Sequence, residues 1–87
     1  MNLPIQCPSC GDTLHVKSLL CEHCGTEVSG NYLLPPIARL SPEKQHFLLQ
    51  FILCSGSLKE MAALRKLSYP TVRNMLDDII AELKSFQ

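Results

Sequence analysis

The 87-residue chain has no excess of charge, since eight Lys and Arg stand against eight Asp and Glu. A protein devoted to nucleic acid is usually basic, at least on one face, so this balance argues against simple phosphate gripping. Any uninterrupted apolar stretch of about 18 residues, the length a membrane-spanning helix needs, is also missing. The longest apolar run, Phe47 to Cys54, is broken by Gln50. Met1-Asn2-Leu3-Pro4 supplies neither a basic start nor an apolar core, so no secretory signal is expected and the chain is read as cytoplasmic. No acid paired with a base and no phosphate-cradling loop stands out. An enzyme is therefore not expected, nor is a small-molecule substrate.

What is present is unevenly spread. Four of the five cysteines lie in the first 24 residues, while charges and helix formers gather later. That asymmetry suggests two very small units. Below about 40 residues a fold usually needs a metal, disulfides or a partner to hold it. In a reducing compartment thiols bind metal rather than pair as disulfides.

The cysteines read Cys7-Pro-Ser-Cys10-Gly11, then ten intervening residues, then Cys21-Glu-His-Cys24-Gly25. Two residues between cysteines let both sulfurs of a pair face one ion. The second pair then completes a tetrahedron with sulfurs about 2.3 Å from the metal. A glycine after each second cysteine permits a positive-φ turn that wraps backbone amides toward the sulfurs. Soft thiolates in a closed site select one structural Zn2+, with iron the lesser alternative. A redox role would need a single such pair at a strand-to-helix junction. With four sulfurs on the ion no position stays open for water, so zinc catalysis is disfavoured. His23 is a surface residue or an alternative ligand, and the neighbouring geometry favours the cysteines. His15 and His46 are expected in solvent, and Cys54 in a core.

Around these pairs, Thr13 to Lys17 and Thr26 to Ser29 read as short strands. Residues 33–41 form a connector that two prolines stiffen. Its Leu33, Leu34, Ile37 and Leu40 are too apolar for a solvated linker, so it is expected to pack on one or both domains.

From Ser41 the pattern turns helical. Ser41-Pro42-Glu43 combines an N-cap, a first-turn proline and a first-turn acid. Helix 1 runs from there to about Cys54. Ser57-Leu-Lys-Glu60 is a capping box for helix 2, which ends near Lys66. Ser68 caps helix 3, whose Val72, Leu76, Ile79, Ile80 and Leu83 form one apolar stripe.

The stretch from Ser57 to Leu76 resembles the helix-turn-helix of region-four-type sigma factors and LuxR-type regulators, and Leu40-Ser-Pro-Glu43 is similar to the start of those domains. The resemblance implies Ala62 at the helix crossing, Leu67 filling the turn, and Val72 with Leu76 anchoring a recognition helix. Taken whole, the chain resembles a family of small bacterial proteins of unknown function that join an N-terminal zinc ribbon to such a domain. The expected fold is small α+β. A four-cysteine zinc ribbon with short hairpin strands occupies residues 1–32, the connector 33–41, and a three-helix helix-turn-helix domain 42–87.

Arg65-Lys66 departs from the Leu-Gly usual in such domains. Position 65 belongs on the buried face, so either Arg65 snorkels from the rim or helix 2 shifts to pack Leu64. Lys66 must take a conformation that glycine adopts more cheaply.

If helix 3 enters a major groove, Tyr69, Thr71, Arg73 and Asn74 meet bases or phosphates, with arginine suited to guanine and asparagine to adenine. Lys59, Arg65 and Lys66 are placed to hold phosphates. The bland alternative is that these are ordinary solvated positions.

Residues 42–87 carry six basic and five acidic groups, and Asp77 and Asp78 fall one turn past Arg73. A zinc ion on four thiolates makes the first region more anionic still. A monomer would then bind DNA weakly, and a dimer would double the contacts. Helix 1 is apolar round most of its surface. The excess is expected to pack against the connector, with a homodimer or other protein partner as the alternative. Two functions follow: a DNA-binding regulator of transcription, and an adaptor that docks on the transcription machinery without touching DNA.

Overall fold

The computed structural model describes residues 3–87 and divides into two units, one ending at Arg39 and one beginning at Leu40. In the first unit an isolated antiparallel bridge joins Gln6 to Thr13, and the Leu14 N–H donates to the Ile5 carbonyl at 2.7 Å. Strand β1 (Val16–Leu20) pairs antiparallel with β2 (Glu27–Tyr32), matching Leu19 with Val28 and Leu20 with Glu27. The register slips between Val16 and Ser18, the mark of a bulge.

The strands therefore lie later than the alternation of Thr13 to Lys17 predicts, and β2 runs past Ser29. Thr13 and Leu14 are engaged by the incoming Ile5-Gln6 segment, which leaves the hairpin itself to the following residues. A short 3-10 turn, Pro36–Arg39, closes the unit. Of the apolar residues in the connecting segment, Leu40 is fully buried and Leu34 half-buried, whereas Leu33 and Ile37 are exposed.

None of the described residues of the first unit is fully buried. A two-stranded hairpin is marginal in water without a packed face. Something other than an apolar core must hold the described residues of this unit together.

The second unit owns the apolar core: Leu40, Phe47, Leu58, Met61, Ala62, Val72 and Ile79. Helix α1 spans Pro42–Leu53, and its N-cap Ser41 Oγ accepts from the Lys44 N–H. Ser55 and Gly56, both at positive φ, end the turn that follows it. Helix α2 spans Leu58–Arg65, and Ser57 Oγ accepts from the Glu60 N–H at 3.2 Å, the serine half of the capping box. Helix α3 spans Tyr69–Ser85, with Ser68 Oγ accepting from the Thr71 N–H. Lys44 of α1 pairs with Glu82 near the end of α3.

Helix α3 buries Val72 and Ile79, with Met75, Leu76, Leu83 and Phe86 packed alongside. Ile80 departs from the predicted stripe and is exposed; at 100° per residue it lies about a quarter-turn off the line of buried positions. Leu67 is also exposed rather than filling the turn. What it contributes is its backbone N–H, donated to the Ala62 carbonyl at 3.0 Å.

At position 65 the rim alternative holds. Arg65 is half-buried, its Nε donates to Gln50 Oε1 at 2.9 Å, and its guanidinium lies 4.9 Å from the Phe47 ring centroid. Leu64 stays exposed. At the rim its charge meets a ring face and an amide oxygen.

Lys66 takes the left-handed conformation at φ 56°, as its place after α2 requires. A side chain there costs about 1–2 kcal/mol. Lys66→Gly is accordingly expected to raise the melting temperature of the helical unit by about 4–8 °C, read by circular dichroism. A lowered melting point would show that Lys66 stabilises the turn by some other contact.

Candidate functional site

The two cysteine turns are built alike. In the first, Cys7 N–H donates to the Asp12 carbonyl and Gly11 N–H to the Cys7 carbonyl, both at 2.8 Å. In the second, Cys21 N–H donates to the Thr26 carbonyl and Gly25 N–H to the Cys21 carbonyl, again both at 2.8 Å. Gly11 and Gly25 sit at φ 81° and 79°, a region that disfavours any side chain. Each turn thus forms the same knuckle, with its two cysteines at the tip.

Donors already reach the sulfurs. Ser9 N–H lies 3.4 Å from Cys7 Sγ. The amides of Cys10 and Ser9, with help from the Cys10 thiol, hold the Cys7 thiol below its ordinary pKa. The Thr26 hydroxyl lies 3.0 Å from Cys24 Sγ, and together with the Thr26 amide and the Cys21 thiol it lowers the Cys24 pKa. Donation to sulfur favours the thiolate, the form that binds metal.

The structure brings Cys7 to Cys10 and Cys21 to Cys24 within the knuckles. Among the described residues, no three His, Cys, Asp or Glu side chains converge on one point as a ligand set. Thiolates repel one another, so only a cation can draw two such pairs into one tetrahedron. All five cysteines are free thiols, and the first four are at least partly accessible. Two matching knuckles, donors already on sulfur and a unit without an apolar core fit a zinc ion. Cys7, Cys10, Cys21 and Cys24 would hold it, and the ion would supply the cross-link that the unit lacks.

His23 is exposed on its knuckle, and His15 and His46 are exposed as expected. His15 Nδ1 meets Asn31 Oδ1 at 2.7 Å, which ties it to β2. Cys54 is half-buried against the helical core. The alternation of residues 26–29 marks Thr26 only as a strand residue, not as a partner of Cys24. Its one sequence signal was its position two residues beyond Cys24.

In the helical unit, α2, the tight turn and α3 form a helix-turn-helix with Ala62 buried where resemblance puts the crossing. Lys59, Lys66, Tyr69, Thr71, Arg73 and Asn74 are all exposed. Tyr69, Thr71, Arg73 and Asn74 occupy the first turns of α3, ahead of its buried Ile79. Thr71 Oγ1 lies 2.7 Å from Ser68 Oγ, so it shares in the cap. Arg73 Nε lies 3.4 Å from Asp77 Oδ1, one turn on. Arg65 is held by Gln50 and Phe47 and is not presented to solvent as Lys59 and Lys66 are.

A cleft lined by Glu43, Lys44, Phe47, Arg65, Met75, Asp78 and Ile79 encloses about 150 Å³. Ligand pockets usually run to roughly 300–1,000 Å³. No helix among the described residues is long and apolar enough to cross a membrane.

A paired-knuckle ribbon followed by a helix-turn-helix defines a class built of a metal-supported module and a helical module. Comparison with protein families makes this specific. Residues 7–38 match the DUF2089 zinc ribbon, and residues 40–86 match the model described as "Domain of unknown function (DUF2089)-HTH". The chain belongs to the DUF2089 family. No curated protein and no solved structure matches it.

Proposed function

We propose that the chain is a DNA-binding regulator of transcription, in which one zinc ion on Cys7, Cys10, Cys21 and Cys24 builds the ribbon and the start of α3 meets the duplex. The observation that carries this reading is the polar, exposed opening of α3 on a helix-turn-helix whose opposite side is anchored by Val72 and Ile79. Tyr69, Arg73 and Asn74 would face the major groove, and Lys59 and Lys66 would hold phosphates. Arg73 must leave Asp77 to reach a guanine edge, so Asp77 sets part of the cost of binding. Zinc supplies a rigid cross-link and takes no part in reading bases.

Titration of random duplex DNA against the zinc-loaded protein, at low and then moderate salt, tests this. Non-specific affinity is greatest at low ionic strength, so no binding at about 50 mM salt would sink the reading. Arg73→Ala is expected to weaken binding. Asp77→Asn is expected to strengthen it by up to about fivefold, the scale of one exposed charge pair. Unchanged affinity in both variants would remove α3 from the interface.

A second reading rests on α1. Leu49, Ile52 and Leu53 lie at helical spacing on one side of α1 and are 54%, 69% and 74% exposed. Nothing in the helical unit covers them. An adaptor that docks on another protein, or a homodimer formed through α1, would bury them without any DNA contact.

A further inference from the structure

We infer that the two cysteine knuckles are unequal as metal ligands: Thr26 makes Cys24 a firmly held sulfur, and its counterpart, Cys10, exchanges more readily. The inference rests on the four-thiolate zinc site proposed above.

Cys21 follows Cys7 by fourteen residues, and the same offset relates Cys24 to Cys10, Gly25 to Gly11 and Thr26 to Asp12. The backbone obeys this equivalence. Asp12 and Thr26 each accept the N–H of the first cysteine of their knuckle at 2.8 Å, and the two glycines differ by only two degrees in φ. Residue 12 therefore holds the backbone place in the first knuckle that residue 26 holds in the second.

The side chains then differ in kind. A metal-bound Cys24 is a thiolate and has no proton to give, so in the contact at 3.0 Å the Thr26 hydroxyl must donate. That hydrogen bond withdraws charge from the sulfur and orients its lone pairs. Asp12 carries a carboxylate, which has no proton to donate to a thiolate. The Cys10 thiolate therefore receives no hydrogen bond from the residue equivalent to Thr26. Groups that support metal ligands commonly change metal affinity ten- to a hundredfold.

When a competing chelator approaches, the zinc–sulfur bond to Cys10 is the easier to exchange. The departing thiolate becomes accessible while the second knuckle still grips the ion. Cys7 does not share this exposure, because the amides of Cys10 and Ser9 support its sulfur.

The test uses the zinc-loaded full chain, with zinc per chain first measured using pyridylazoresorcinol. Brief pulses of N-ethylmaleimide under a limiting concentration of that chelator are then mapped by mass spectrometry. Cys10 is expected to be alkylated at least about tenfold faster than Cys24. Thr26→Val should close that gap and weaken zinc binding about ten- to a hundredfold, whereas Thr26→Ser should restore both. Asp12→Thr, which gives the first knuckle its own hydroxyl, should slow Cys10 and provides a second route should Thr26→Val not fold. Equal alkylation rates for Cys10 and Cys24 in the unaltered chain would overturn the inference, as would a gap that survives Thr26→Val. A chain that binds no zinc would instead overturn the metal site itself, and the first measurement distinguishes that failure.

Discussion

Cys21→Ser will unfold the N-terminal unit and leave the helices standing. The first unit has no fully buried residue among those described, so little apolar burial opposes its unfolding. Apparent zinc affinity in modules of this size is about 10–16 kcal/mol near neutral pH, and much of that is folding energy. In the proposed four-thiolate site, losing Cys21 removes a ligand and leaves Cys24 alone on its knuckle. The strand amides of β1 and β2 should collapse to random-coil shifts in a nitrogen–proton correlation spectrum. The far-UV helical signal from α1, α2 and α3 should persist, since their core lies between Leu40 and Ile79. Chelation of zinc from the unaltered chain should reproduce the same spectrum. Dispersed β1 and β2 amides in metal-free protein would contradict the metal argument at its root.

Phe47→Ala is expected to have the opposite effect, abolishing the helical fold while sparing the ribbon. Phe47 is 1% exposed and among the largest fully buried side chains. Truncating a buried phenylalanine costs about 3–5 kcal/mol. A unit of 48 residues has little stability to lose, since folded chains hold only about 0.05–0.15 kcal/mol per residue. The change also strips Arg65 of the ring beneath its guanidinium, leaving that charge half-buried over a cavity. Thermal melting followed at 222 nm, a wavelength that reports helix, should lose its cooperative transition. Zinc stoichiometry should remain that of the unaltered protein. A shift of only a few degrees would mean that the helices repack around the missing ring.

Much of this was legible in residues alone because it depends on neighbours in sequence. Ser41, Ser57 and Ser68 cap helices through amides three residues ahead, so local spacing suffices to place them. The cysteine knuckles likewise need only a two-residue gap and a following glycine. Lys66 could be assigned its left-handed conformation because a tight turn between α2 and α3 demands one there.

Less legible were contacts between residues far apart in the chain. Strand register depends on which segment occupies the edge beside Thr13, and Ile5-Gln6 occupying it displaced the hairpin toward Val16. The choice between Arg65 and Leu64 turned on Gln50 and Phe47, fifteen and eighteen residues away. Ile80 and Val72 are both β-branched and apolar, and only the angle of α3 on the core separates the exposed one from the buried one.

Composition and spacing by themselves determined the two-part build, the two paired-cysteine turns and the helix boundaries, because each follows from short-range chemistry. The tertiary structure decided which side chains are available for function. It tied Arg73 to Asp77, withdrew Arg65 into the rim, and left Leu49, Ile52 and Leu53 bare on α1. It also set the Thr26 hydroxyl beside Cys24. Those outcomes are settled by packing in three dimensions, where the partner that satisfies a charge or covers a methyl group need not be near it in sequence.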